Sequence, residues 1–166
     1  MTTDFLKRLG WFAVFLLVQV VMLQHIHLFG VATPLFYVYF VLQFPRHLPK
    51  WGTLLCGFML GLLVDIFTNT PGVAAASLTL ITALQPYYFG LFVSQEAPED
   101  LRPALKTLGA LKYSNYCVPL VLLYCLVFFS LEQFSFFHIL HWLMCVAGST
   151  AITLLLIYTF ELAKKK

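Results

Sequence analysis

The chain has 166 residues, of which 61% are apolar and only 10% are charged. A soluble globular domain is roughly 25% charged, so this composition excludes an ordinary soluble protein and indicates an integral membrane protein. The formal net charge is +3, from ten Lys and Arg against seven Asp and Glu. The positions of the basic residues relate this charge to membrane orientation, not to nucleic-acid binding. We expect one transmembrane domain, because the length suits no separate soluble module.

Six apolar segments predict an all-α bundle of six membrane spans. They lie at about residues 9–25, 31–44, 52–67, 72–92, 116–132 and 138–160. The first segment follows Lys7 and Arg8 without a small-residue cleavage site, so we interpret it as a retained span. The second and third segments are short: about 14 to 16 residues give roughly 21–24 Å, against roughly 30 Å of hydrocarbon. Short helices inside the bundle, or a re-entrant hairpin in a four-span protein, are both compatible with this length.

The basic residues predict the orientation of these spans. With six spans and a cytoplasmic N-terminus, every Lys and Arg falls on the inner side and none falls in an outer loop. Lys and Arg near span ends favour the cytoplasm, so both termini are predicted to be cytoplasmic. Removing the second and third spans together as a hairpin leaves this result unchanged. The basic residues are Lys7, Arg8, Arg46, Lys50, Arg102, Lys106, Lys112, Lys164, Lys165 and Lys166.

The third apolar segment carries a stripe of small and polar residues, because Gly57, Gly61, Asp65 and Asn69 are spaced four apart. The glycines permit close helix approach, and packing within this bundle is favoured over a dimer face. An acid at the bilayer centre costs roughly 2.5–3.5 kcal/mol and normally faces a partner or a cavity. Asp65 therefore has three interpretations: an anchor for the turn at Asn69–Gly72, a contact to a partner's transmembrane or periplasmic segment, or a proton or ligand site.

The turn after this stripe predicts the start of the fourth span. Asn69-Thr70-Pro71 is typical of a helix start, with a capping residue and then proline at the first helical position. The fourth segment then has a small, weakly polar side that suits packing against the glycines, and Pro86 is expected to kink or end it. That side consists of Ala74, Ala75, Ala76, Ser77, Thr79 and Thr82. The amides of Gln19, Gln24, Gln43 and Gln85 are expected to form interhelix hydrogen bonds.

The segment 94–114 is the longest polar stretch and is predicted to be a cytoplasmic loop. Its leucines follow one stripe, which predicts a short amphipathic helix on the membrane surface between the fourth and fifth spans. The alternative is an ordinary connecting loop with leucines packed under the bundle. If the amphipathic helix forms, its function would be to dock a cytoplasmic partner. The leucines are Leu101, Leu105, Leu108 and Leu111.

No pattern in the sequence indicates catalysis or a cofactor. We find no nucleophile elbow, phosphate-binding loop or zinc helix. The four cysteines have no close metal-ligand spacing and are interpreted as small apolar residues. The histidine pairs His25–His27 and His138–His141 have no third ligand nearby, so a metal site is not expected. We therefore predict a protein that is not an enzyme and has no cofactor.

Several segments together resemble the rod shape-determining protein family MreD, in the form found in its Bacteroidota-type branch. The resemblance rests chiefly on Gly57–Gly72, which reads GFMLGLLVDIFTNTPG. It extends to His27–Leu35, Gln43–Pro45, Pro98–Leu101 and Phe134–Phe137. The matching segments are therefore spread over most of the chain, and the Gly57–Gly72 motif is the most specific of them.

This resemblance implies a non-enzymatic scaffold in the bacterial inner membrane that helps to maintain cell shape. MreC is the implied direct partner, and MreB, RodA and a class B penicillin-binding transpeptidase are implied indirect partners. Nucleic acid is not expected to be a partner. The site residues expected to serve helix packing or partner contact are Gly57, Gly61, Asp65, Asn69, Pro71 and Gly72. The family is also similar in fold to the six-helix S-components of energy-coupling factor transporters. The alternative function is therefore a small-molecule-binding membrane subunit of such a transporter.

Overall fold

The computed structural model describes residues 35–45, 48–93, 101–133 and 139–165. Within these ranges the protein is all-helical, with 83% of residues in helices and none in a strand. Several predictions fall outside the described residues: the first span, the amides Gln19 and Gln24, the pair His25–His27, and His138.

Six helices follow one another along the described residues. Three of them, α2, α5 and α6, are long and apolar enough to cross a membrane, which indicates a membrane protein. The number of six spans and their arrangement stay predictions. The helices are α1 Val38–Leu42, α2 Lys50–Thr68, α3 Val73–Gly90, α4 Leu105–Leu108, α5 Ala110–Gln133 and α6 Ile139–Lys165.

Helices α2 and α3 form an antiparallel hairpin. The first residue of α2, Lys50, donates a hydrogen bond from Nζ to the hydroxyl of Tyr87 near the end of α3, at 3.2 Å. At the other end, Asp65 near the end of α2 contacts Ala74 in the first turn of α3. The two helices therefore lie side by side along their whole length.

Helices α5 and α6 continue this arrangement. The end of α3 lies beside the start of α5, because the Tyr88 hydroxyl donates to the carbonyl of Asn115 at 3.1 Å. The start of α5 lies beside the end of α6, where the rings of Tyr113 and Tyr158 meet edge to face at 6.1 Å. One end of the bundle therefore holds the start of α2, the end of α3, the start of α5 and the end of α6.

The described charges are divided between the two ends of the bundle. The end just defined, which we call the basic end, carries five basic side chains that the structure describes as exposed, and the buried acid Glu161. The other two described acids, Asp65 and Glu132, lie toward the opposite ends of α2 and α5. This division agrees with the basic side predicted from the sequence. The five cations are Lys50, Arg102, Lys106, Lys112 and Lys164.

The centre of the protein is the segment 35–45, within the predicted second span. It contains only the five-residue helix α1, about 7.5 Å long and too short to cross a membrane, and nearly all of it is buried. Buried backbone groups outside a helix need partners. The Tyr116 hydroxyl donates to the Leu42 carbonyl at 2.9 Å, and Gln85 donates to the Phe44 carbonyl at 3.2 Å. The amide of Leu35 donates to Thr153 at 3.1 Å.

Among the described residues, two prolines lie inside helices. Helix α3 continues through Pro86 to Gly90, so Pro86 does not end the helix, and a kink at this position stays a prediction. In α5, Pro119 has no N–H to donate to the carbonyl four residues earlier, that of Asn115. The Tyr88 hydroxyl donates to this same carbonyl, so a neighbouring helix supplies the missing hydrogen bond.

The predicted amphipathic helix with four leucines on one stripe is wrong in its extent. Helix α4 covers only Leu105–Leu108, and Gly109 interrupts it with a φ of 80°, a conformation suited to glycine. Leu111 belongs to the first turn of α5 and is exposed. Leu101, Leu105 and Leu108 are partly buried against the core, which agrees with the alternative of leucines packed under the bundle.

Candidate functional site

The carboxylate of Asp65 binds the first turn of the neighbouring helix. Its Oδ2 accepts a hydrogen bond from the backbone N–H of Ala75 at 2.8 Å. Its Oδ1 accepts from the N–H of Ala74 at 2.8 Å and from the Thr70 hydroxyl at 2.9 Å. The side chain is buried, at 6% exposure. Because the first N–H groups of a helix have no partner within it, Asp65 acts as an N-cap supplied by the preceding helix.

The local sequence explains why the cap comes from a distance. The residue before α3 is Gly72, which has no side chain to cap the helix and adopts a φ of 81°. Asn69 adopts the left-handed conformation, with φ 57° and ψ 33°, and ends α2. The prediction that Asn69 starts the next helix, with Pro71 in its first turn, is therefore wrong. A negative group at a helix N-terminus is also favoured by the helix dipole, so the carboxylate suits this place.

The two glycines bring α2 close enough to α3 for this contact. A Cβ added to Gly61 would lie 2.5 Å from the Cα of Ala75 and 2.7 Å from the carbonyl oxygen of Ala74. One added to Gly57 would lie 3.1 Å from the Cβ of Thr82. All three distances are below normal van der Waals contact. At Gly61 the neighbours are backbone atoms, so no larger residue fits without separating the helices, and at Gly57 the Thr82 side chain would have to shift. The small side predicted for the fourth segment therefore faces the glycine stripe at Ala75 and Thr82.

The Gly57–Gly72 motif thus has two faces. The inner face consists of Gly57, Gly61 and Asp65, and it is buried against α3. We call the other face the outer ridge; it consists of the exposed residues Ile66, Phe67, Asn69, Pro71 and Gly72. The outer ridge lies at the end of the bundle opposite to the basic end. The predicted site residues therefore do not form one site: Gly57, Gly61 and Asp65 pack against α3, whereas Asn69, Pro71 and Gly72 lie on the surface.

A second polar cluster lies at the basic end; the sequence predicted a hydrogen bond from Gln43 to another helix, but not the cluster itself. The Oε1 atom of Glu161 accepts hydrogen bonds from the Tyr39 hydroxyl at 2.8 Å and from the Gln43 amide at 2.7 Å. Lys164 donates to the Gln43 oxygen at 3.2 Å. Glu161 is 3% exposed, and the cluster joins α6 to the central segment. The feature of the sequence that could have indicated this cluster is Glu161, an acid among apolar residues in the last helix.

The described residues offer hydrogen bonding and packing at both sites. Within the four described ranges, no three His, Cys, Asp or Glu side chains lie close enough together to hold a metal ion. Cys117, Cys125 and Cys145 are buried free thiols, and Cys56 is exposed. Comparisons of the chain with protein-family profiles, with curated proteins and with solved structures found no match.

Proposed function

We propose that the chain is a non-enzymatic scaffold of the bacterial inner membrane, of the MreD type, that binds MreC through the outer ridge. In this proposal it is a six-helix, S-component-like bundle with both termini in the cytoplasm. MreB, RodA and the class B transpeptidase would join the assembly indirectly, as the sequence resemblance implies. The observation that carries the proposal is the division of the Gly57–Gly72 motif into a buried inner face and an exposed outer ridge.

The inner face narrows the choice among the interpretations of Asp65. Both carboxylate oxygens accept hydrogen bonds from the protein's own turn and helix. Because both oxygens already accept hydrogen bonds, Asp65 is interpreted as an anchor that shapes the hairpin and not as a proton or ligand site. Partner contact is therefore assigned to the outer ridge, with Asp65 as the residue that positions it.

The outer ridge suits a partner segment that runs along the membrane. Ile66 and Phe67 present large apolar side chains next to a tight turn, and Phe67 is 52% exposed. The turn is fixed by the Asp65 hydrogen bonds and by the left-handed Asn69, so little ordering is needed on binding. Since the basic end is assigned to the cytoplasm, the outer ridge lies on the outer side, where it would contact the transmembrane or juxtamembrane part of MreC.

Lipid alone would also accept exposed apolar residues, so the test needs a matched control. Leu55 lies on the same helix and is also 52% exposed, but it is three turns away from the ridge. The tagged chain is purified from native membranes with Phe67→Ala or Leu55→Ala, and the single-span partner that co-purifies is quantified. We expect Phe67→Ala to reduce recovery of MreC about tenfold, as for an aromatic contact residue, and Leu55→Ala to leave it unchanged.

Two outcomes would contradict the scaffold. Equal recovery of MreC with both variants would show that the outer ridge is not the contact. Purification with a bound vitamin and an ATPase module, in place of a single-span partner, would support the transporter subunit instead.

A further inference from the structure

The basic end carries an aromatic and cationic patch that the scaffold function does not use. It consists of Lys50 and Trp51 at the start of α2 and Tyr87 near the end of α3. Trp51 is 72% exposed and Tyr87 is 65% exposed. The geometry points to a binding site for the phosphate of an anionic phospholipid headgroup at this patch.

The position of Lys50 supports a built site. Its ammonium lies 4.6 Å from the centre of the Tyr87 ring, and it donates to the Tyr87 hydroxyl at 3.2 Å. The ring and the hydroxyl hold the cation in place, so less side-chain freedom is lost on binding. An ammonium has three N–H donors, and the bond to Tyr87 uses one. The other two can serve the oxygens of a phosphate.

The depth of the patch favours a lipid over a protein partner. It lies where α2, a helix able to cross a membrane, begins, and Trp and Tyr at such positions place their rings among the headgroups. Trp51 and Tyr87 would therefore lie at the level of the lipid phosphates. An exposed lysine at this depth also gains from a negative membrane surface.

The surrounding charges are complementary to an anionic lipid. The five basic side chains whose exposure the structure describes at the basic end are all exposed, among them Arg102, Lys106 and Lys112. The described acid at this end, Glu161, is buried and accepts hydrogen bonds from within the protein. The local field therefore attracts phosphate, and the patch fixes where it binds.

The test measures lipid binding to the purified chain in neutral detergent at about 0.15 M salt, where diffuse surface attraction is largely screened beyond about 8 Å. Phosphatidylglycerol, phosphatidylcholine and inorganic phosphate are titrated separately, and bound lipid is counted by native mass spectrometry. We compare Lys50→Gln with Lys112→Gln, which removes an exposed cation from the same end but outside the patch. Tyr87→Phe keeps the ring and removes the hydroxyl.

We expect tighter binding of phosphatidylglycerol than of phosphatidylcholine, with Lys50→Gln weakening it about fivefold, the usual effect of one cation at an anionic surface. Tyr87→Phe should weaken it less, and Lys112→Gln should have little effect. Equal losses in Lys50→Gln and Lys112→Gln would overturn the site in favour of diffuse attraction. Equal affinity for the two lipids would overturn the site as well. So would inorganic phosphate that binds as tightly as phosphatidylglycerol. Unchanged thermal unfolding of the variants confirms that these exposed substitutions leave the fold intact.

Discussion

Removal of the Asp65 carboxylate is predicted to destabilise the α2–α3 hairpin. In Asp65→Ala, the N–H groups of Ala74 and Ala75 lose their acceptor, and an unsatisfied buried donor costs about 1–3 kcal/mol. The two together give a loss of roughly 2–6 kcal/mol. The Thr70 hydroxyl can turn to Thr68, whose oxygen lies 2.6 Å away, so it adds little. Against a typical folding free energy of about 5–15 kcal/mol, this loss is large.

Asp65→Asn should cost about half as much. Its amide oxygen can take the place of Oδ1 and keep the bond from Ala74, whereas its NH₂ group would face the N–H of Ala75. The assay is equilibrium unfolding in detergent, followed by helix content, together with the amount of protein in the membrane. Asn69→Gly is the control, because glycine adopts the left-handed conformation at little cost, and we expect a change of about 0.5 kcal/mol or less.

The reasoning would be refuted if Asp65→Ala unfolded like the unsubstituted chain. If that variant also failed to retain the partner, Asp65 would be a contact residue and not a helix cap.

Four further variants, one of them a control, test three other contacts by the same unfolding assay. Gly61→Ala should destabilise the chain by about 1–3 kcal/mol, because the added Cβ meets the α3 backbone, while Gly90→Ala, with open space around it, should be neutral or slightly stabilising. Tyr88→Phe removes the donor to the Asn115 carbonyl and should cost about 0.5–1.5 kcal/mol, so an unchanged value would show that water replaces it. Glu161→Ala leaves the buried Tyr39 hydroxyl and Gln43 amide with fewer partners, and we expect a loss of about 2–4 kcal/mol; a neutral result would contradict the cluster as a link between α6 and the core.

The sequence alone was sufficient to predict the helical class, the stripe with Gly57 and Gly61, and a structural or functional role for Asp65. These depend on composition and on a spacing of four, both of which are local properties. The division of charge between the two ends was also predictable, because the span ends carry the basic residues. The short helix α1 agrees with a short second segment held inside the bundle. The third segment was predicted to be equally short, and this is wrong, because α2 has 19 residues and is long enough to cross a membrane.

The predictions that were wrong concern features that depend on tertiary contacts or on backbone geometry. Asn69 and Pro71 have the composition of a helix start, but Asp65 supplies the cap from another helix, which no local pattern reveals. The leucine stripe ignored Gly109, whose positive φ ends α4. The role of Glu161 was not predicted, because its partners in the central segment are more than 100 residues away in the sequence.

Site-specific photo-cross-linking at the outer ridge tests the central claim most directly. A photoreactive phenylalanine analogue replaces Phe67, or Leu55 as the equally exposed control on the same helix. The chain is irradiated in native membranes, and its adducts are identified. We predict one major adduct from position 67, with MreC, and no protein adduct from position 55. Adducts with lipid alone at both positions would contradict the assignment of the outer ridge as the partner contact.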